Sequence, residues 1–418
     1  MKNIALTPPK GWNSWNIYGA SVTEQEVRNN AQVMAEKLKA YGWEYVVVDI
    51  QWYEPTASTS LYNTFAPLCL DEYSRPVPAV NRFPSSEGGL GMKPLADYVH
   101  SLGLKFGIHI LRGIPREAVH RRMPLKGTTL TADQIATNTI CPWNSDMYGV
   151  NTRLPEGRQY YDSLMEMYSA WDIDFIKVDD IAFSKIYPDA HLDEIKAIRE
   201  SIDRINPNII LSLSPGPANL RDGSFLQEHA NMWRLTDDFW DEWPMVLEMF
   251  ERCNQWSPFI RPGSWPDCDM LPLGHIAIRS DERGVSERDT RLTRDEQRTM
   301  MTLWSLFQSP LMFGGELTLL DDWTFSLLAN KELTEMHLKL KHQKQVWRDN
   351  TWIVWQAEAD DSNYTAIFNI SDTHAILPHD IAARFMPAAG GLEMWSGQST
   401  ESVRDAIPSH GCLIFRAI

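Results

Sequence analysis

The stretch Asp174-Phe175-Ile176-Lys177-Val178-Asp179-Asp180 enters as a short apolar run and closes on a cation and two carboxylates. A run of this length reads as a parallel strand buried on both faces. Burying an unpaired carboxylate is expensive, so the acids belong where the strand emerges, at its C-terminal end. In a barrel of parallel strands, that end carries the active site. Lys177 and Asp179 alternate with Val178, which puts both side chains on one side of the strand. A lysine beside a carboxylate keeps it ionised at neutral pH, as a nucleophile requires. A structural ion pair capping a strand would look the same, so the neighbouring strand ends have to decide.

Outward from this stretch, one unit recurs. Thr23 and Glu26 form a capping box ahead of Val27, Ala31, Met34 and Leu38 on one helical face, Gly42 closes the helix, and Tyr45 to Ile50 reads as a buried strand. Helix Pro94 to Leu102 precedes strand Lys105 to Ile110, and helix Gln159 to Trp171 leads into the opening stretch. Helix Leu192 to Ile205 leads into strand Ile209 to Ser214. Further strands are expected around Trp12 to Trp15, at Asn231 to Thr236, just before Trp265, and at Pro310 to Phe313. Eight parallel strands with right-handed crossovers predict an α/β fold, a (β/α)8 TIM barrel, over residues 1–340. After about Lys344 the texture becomes β-rich, as in Trp352-Ile353-Val354-Trp355 and Thr365-Ala366-Ile367-Phe368. A small C-terminal antiparallel β-sandwich domain is therefore expected over residues 341–418.

The net charge of −16 argues against nucleic acid and anionic membrane surfaces as partners. No apolar run reaches membrane-spanning length, and no signal peptide precedes Pro8-Pro9. Cys69, Cys141, Cys253, Cys268 and Cys412 are odd in number and scattered, which suits a reducing, cytoplasmic compartment and offers no zinc motif. Seventeen tryptophans are many for this length; composition alone favours the core for them, though flat aromatic faces also suit stacking on a sugar ring. A homo-oligomer is compatible with all of this.

The predicted strands end in a rim of acids, cations and indoles. Trp15 follows the first, Asp49 and Trp52 the second, and His109 lies near the end of the third. Lys177 and Asp179 end the fourth, Ser212 and Ser214 the fifth, Arg234 with Asp237-Asp238 the sixth, and Asp267 and Asp269 the seventh. Two carboxylates facing one sugar ring are what glycoside hydrolysis needs.

At this point the chain resembles glycoside hydrolase family 27, the melibiase or α-galactosidase family. The motifs carrying the likeness are Gly11-Trp12-Asn13-Ser14-Trp15-Asn16, Leu102-Gly103-Leu104-Lys105-Phe106-Gly107-Ile108 and Phe175-Ile176-Lys177-Val178-Asp179. They continue with Trp233-Arg234 and Asp238, Trp265-Pro266-Asp267-Cys268-Asp269-Met270-Leu271, and Ser309-Pro310-Leu311-Met312. The resemblance implies a retaining, exo-acting hydrolase of terminal α-galactosyl residues that works through a glycosyl-enzyme and needs no metal or other cofactor. It implies Asp179 as nucleophile and Asp238 as acid/base, with Asp237 as the nearest rival. Trp15, Asp49, Trp52, His109, Lys177, Ser214, Arg234 and Asp269 are then expected at the sugar.

Two departures bear on specificity. Where the family has two successive acids after the second strand, this chain has Asp49-Ile50, so a hydroxyl contact characteristic of galactose is missing or comes from elsewhere. The segment Ser212-Leu213-Ser214-Pro215-Gly216-Pro217 resembles relatives acting on N-acetylgalactosamine only in Ser214. The substrates to weigh besides α-galactosides are therefore α-N-acetylgalactosaminides and β-L-arabinopyranosides. Two other classes remain. A metal-dependent glycosyltransferase is suggested by Asp172-Ile173-Asp174, although that pair falls before the strand. A non-catalytic carbohydrate-binding protein would lack the carboxylates that this chain retains.

Overall fold

A computed structural model describes residues 4–280, 286–387, 391–400 and 406–417. Among them, eight parallel strands form one curled sheet: β1 (Lys10–Asn13), β2 (Tyr45–Val48), β3 (Lys105–Leu111), β4 (Phe175–Asp179), β5 (Ile210–Leu213), β6 (Met232–Arg234), β7 (Trp265–Asp267) and β8 (Leu311–Phe313). Neighbours follow chain order from β1 to β7, and β8 returns to pair with β1. The ring closes where Leu271, just past β7, bridges Phe313 in parallel. Helices α1 (Glu24–Lys37), α2 (Lys93–Ser101), α3 (Pro155–Ala170), α4 (Leu192–Ile205), α5 (Gly223–His229), α6 (Trp243–Trp256) and α7 (Arg294–Phe307) separate the strands. With helices outside and side chains filling the inside, strands such as Val46-Val47-Val48 are fully buried.

Local chemistry sets the boundaries. The Thr23–Glu26 capping box starts α1, whose buried stripe is Val27, Ala31 and Met34. The first strand ends earlier than expected because Asn13 Oδ1 accepts the backbone N–H of Trp15 (2.9 Å) and turns the chain into a short helix, Trp15–Tyr18. The seventh strand starts at Trp265 rather than ending before it, since an Arg261–Ser264 turn occupies the residues upstream. Helix α3 begins at Pro155, ahead of Gln159, because proline suits a first helical position that needs no N–H donor.

Asp172 and Asp174 lie at the N-terminal end of β4, away from Asp179. Asp174 accepts from the backbone N–H of Phe106 (2.8 Å) and pairs with His100 (2.7 Å), while Asp172 pairs with Lys93 (3.1 Å). The acid pair thus ties the barrel floor together and does not face the strand C-termini where a substrate would sit.

Beyond the barrel, the described residues form a six-stranded antiparallel sheet in the order β9 (Lys341–Arg348), β10 (Trp352–Glu358), β11 (Asn363–Asn369), β14 (Cys412–Ala417), β12 (Gly391–Glu393), β13 (Gln398–Thr400). Its strands alternate between two cores. Ile353, Trp355, Phe368 and Ile414 join the barrel core, where Phe250 of α6 meets Phe368 and Phe307 of α7 meets Trp355. Trp352, Val354, Ile367 and Phe415 face the other way, under Ile381 and Phe385 of a seven-residue helix, α8 (His379–Phe385). That helix interrupts the expected all-β texture, and it is too short to print a helical period on the sequence. No helix among the described residues is long and apolar enough to cross a membrane.

Candidate active site

At the C-terminal end of the strands lies a cavity of about 420 Å³, within the roughly 300–1,000 Å³ of small-molecule sites. Trp15, Asp49, Lys177, Asp179 and Asp238 line it, together with Ile50 and Asp237. Five of the ten residues expected at a sugar therefore reach the cavity. The other five stand behind them.

Asp179 ends β4 with both oxygens engaged. His109 Nε2 lies 2.7 Å from Oδ2, and the Ser214 hydroxyl donates to Oδ1. An ionised carboxylate can only accept, so His109 carries its proton on Nε2. Its Nδ1 is buried and has no partner among the described residues. Lys177 Nζ sits 2.9 Å from Asp49 and 3.5 Å from Asp179. Burial pushes Asp179 upward, but Lys177, His109 and Ser214 outweigh it and hold the carboxyl well below the usual carboxylate range. Asp49 is held down against its burial by the same lysine, and accepts from Asn13 Nδ2 at 2.7 Å. His109 and Ser214 are fully buried, so they grip the carboxylate from beneath rather than meeting a ligand.

Asp238 is held differently. It sits in the loop after β6, where Arg234 bonds it at 2.9 Å and also reaches Asp269 at 2.8 Å. Asp269 in turn accepts the backbone N–H of Phe239, which fixes the chain beside Asp238 (2.8 Å). Burial pushes Asp269 up to about 7 even though Arg234 opposes it. Breaking a buried pair such as Arg234–Asp269 costs about 3–5 kcal/mol, so the support is firm. Gly216 lets the loop after β5 pack against this segment, since an added Cβ would fall 2.3 Å from the Thr236 carbonyl. Asp237 accepts the Asp238 backbone N–H and pairs with Lys185 (2.7 Å), so its carboxylate is drawn toward that lysine.

Trp52 turns away from the cavity. It is fully buried, donates Nε1 to the His109 carbonyl (2.7 Å), and packs edge-on against Tyr53 and Trp171. Strand parity predicts the side on which a residue lies, but not its depth. Trp15 does line the cavity, and its buried Nε1 has no partner among the described residues, leaving a donor for a ligand oxygen. Cys268, between two acids, touches the Cys253 sulfur at 3.5 Å, and both thiols are free.

Several residues received no role in the sequence reading. Asp180 lines the cavity with φ at +58°, a left-handed backbone that Arg112 stabilises by bonding both its carbonyl (2.8 Å) and its carboxylate (2.6 Å). Arg112 also pairs with Glu194 (2.9 Å), and its backbone N–H donates to the Asp179 carbonyl (3.1 Å). Burial pushes Asp180 up to about 6. A charged residue directly after an apolar strand was the available signal for Arg112. Tyr62, Trp143, Phe183 and Lys185 come from loops and carried no period at all.

Asp49, His109 and Asp179 bring their ligand atoms within 4.8 Å of one another, as a metal site would. The Lys177 ammonium occupies the cationic position between the two carboxylates, so the donor set does not fit a metal. What the cavity offers instead is one carboxylate kept ionised and immobile, a second carboxyl in contact with solvent, and a tryptophan wall. Those are the parts of a double displacement at a sugar carbon.

Residues 148–338 match a family model described as alpha galactosidase A. The solved structure of a family 27 β-L-arabinopyranosidase from Geobacillus stearothermophilus is 53% identical and covers 99% of this chain and 96% of its own, with a TM-score of 0.95. A Bacillus halodurans structure, named as a candidate α-N-acetylgalactosaminidase, is 47% identical over 98% of this chain and 96% of its own, with a TM-score of 0.86. Alpha-galactosidase 2 of Arabidopsis thaliana is 28% identical over 356 residues, which span 84% of this chain and 72% of that protein.

Proposed function

The chain belongs to glycoside hydrolase family 27, and from that premise we propose that it removes terminal β-L-arabinopyranosyl units in preference to α-galactosyl units. The observation that carries the preference is Ile50. It lines the cavity directly after Asp49 and is 1% exposed, so an alkyl group forms the wall there. A β-L-arabinopyranose ring has the stereochemistry of α-D-galactose without the exocyclic hydroxymethyl group. The pentose therefore brings no hydroxyl to this wall, whereas galactose brings one that finds no partner in Ile50. An unpaired buried hydroxyl costs roughly 1–3 kcal/mol, or about 5- to 150-fold in kcat/KM. The name of the 53%-identical structure supports the same reading. Galactosides stay in scope as slower substrates because the rest of the ring is unchanged.

In this reading Asp179 attacks the anomeric carbon while Asp238 gives its proton to the leaving oxygen. Water then enters with Asp238 as base, and two inversions leave the configuration retained. His109 and Ser214 orient the nucleophile, and Lys177 with Asp49 binds ring hydroxyls. Ser214 is buried and donates to Asp179, so its hydroxyl serves the nucleophile in this reading. The test compares aryl β-L-arabinopyranoside with aryl α-galactoside on the wild type and on Ile50→Asp. The wild type should prefer the pentoside, and Ile50→Asp should move the kcat/KM ratio toward galactoside by about tenfold or more. A wild type that favours the galactoside would refute the assignment.

A further inference from the structure

Arg112 follows β3 directly and stands behind the cavity wall, 2% exposed. Its Nε donates to the Asp180 carbonyl (2.8 Å) and its Nη2 to the Asp180 carboxylate (2.6 Å). Nη1 reaches Glu194 of α4 (2.9 Å) and Thr139 Oγ1 (3.1 Å). A buried guanidinium needs paired carboxylates to offset its desolvation, and Glu194 and Asp180 supply them. Charge balance does not require the bond to the Asp180 carbonyl. That bond fixes backbone, at the residue directly after the nucleophile.

The backbone held there reaches beyond Asp180 itself. Asp180 has φ of +58°, a left-handed conformation that a residue with a Cβ adopts only at a cost. The turn carries the Ile181 N–H to the Ser214 carbonyl (3.2 Å), while the Ser214 N–H donates to the Val178 carbonyl (2.9 Å). Ser214 is thus held at both its peptide groups, and its hydroxyl donates to Asp179 Oδ1. The Arg112 backbone N–H closes the circuit on the Asp179 carbonyl (3.1 Å). An extended Asp180 would carry the Ile181 N–H away from Ser214 and free that hydroxyl to leave the carboxylate. A small change of aim matters, because attack needs the reacting atoms aligned at about 3–3.5 Å.

We propose that Arg112 is a positioning residue for the nucleophile: by holding Asp180 in its left-handed turn it aims Ser214, and through Ser214 the Asp179 carboxylate. This role rests on Asp179 as nucleophile, which Asp179→Asn tests by itself; retained turnover there removes the assignment and the positioning role with it. The experiment uses the full chain and whichever aryl glycoside, pentoside or galactoside, the wild type hydrolyses faster. Arg112→Lys keeps a cation for Glu194 but loses the fork. Its kcat should fall about 30-fold, with KM within about threefold of the wild type. Glycine adopts positive φ without a steric cost, so in an Asp180→Gly background the same substitution should lower kcat by about threefold or less. Equal losses in the two backgrounds overturn the proposal, as does a change in KM with kcat intact. A second pair leaves Arg112 in place and decides the matter even where Arg112→Lys does not fold. Asp180→Gly and Asp180→Ala lose the same carboxylate, but only alanine resists the turn, so kcat of the glycine variant should exceed that of the alanine variant by about tenfold. Equal kcat in that pair would assign the effect to the Asp180 carboxylate and overturn the role of the turn.

Discussion

Asp179 and Asp238 serve one cavity but are mounted in opposite ways. The first ends a strand, with His109 and Ser214 on its oxygens and Lys177 beside it; the second hangs in a loop on Arg234, with three times the side-chain exposure. The difference suits the roles proposed for the two groups. A nucleophile gains from being fixed and ionised, because every degree of freedom removed is entropy already lost before the reaction. An acid/base has to exchange protons with solvent and meet leaving groups of varied shape, so it needs access. The side chains behind each carboxyl reflect the contrast: hydrogen-bond donors clamp Asp179, and an arginine shared with Asp269 tethers Asp238.

The largest break in this comparison is Asp179→Asn, for which steady-state assays should show kcat down by at least about 10⁴-fold on every substrate. Asp238→Asn should be selective instead. Hydrolysis of glycosides with poor leaving groups should fall about 10²- to 10⁴-fold. Good leaving groups should still depart in the first step, so that a glycosyl-enzyme accumulates and is visible by intact mass spectrometry. If Asp238→Asn leaves natural-substrate turnover intact, Asp237 takes over the role. Lys177→Met sharpens the contrast more gently. Lys177 holds Asp179 below the usual carboxylate range against burial, so its removal lets burial raise Asp179. The ionised fraction then falls at acid pH, and the acid limb of kcat/KM moves upward. The deficit at about pH 5 should therefore exceed that at about pH 8. An equal deficit at both would mean that Lys177 acts on the sugar alone.

Much of this was legible in the chain itself. Helix-strand alternation and the apolar run into Lys177 and Asp179 foretold the barrel and the end of it that matters. The Trp233-Arg234 and Asp238 spacing, through its resemblance to family 27, led to the second carboxyl. His109, Ser214, Arg234 and Asp269 were expected at the substrate but act one layer back, on the carboxylates that line the cavity. Trp52 lies behind His109 as packing. Residue type and order along the chain single out these five, while the depth of each depends on how neighbouring strands and loops pack.

The strand count, the face on which the chemistry gathers and the alkyl residue at position 50 can be read from the chain, because they follow from local period and residue identity. Which groups line the cavity, how Arg112 holds the left-handed backbone of Asp180, and the convergence of Tyr62, Trp143 and Phe183 from separate loops emerge only when the chain is folded. Such convergence is set by long-range packing, and irregular loops leave no periodic mark from which it could be read.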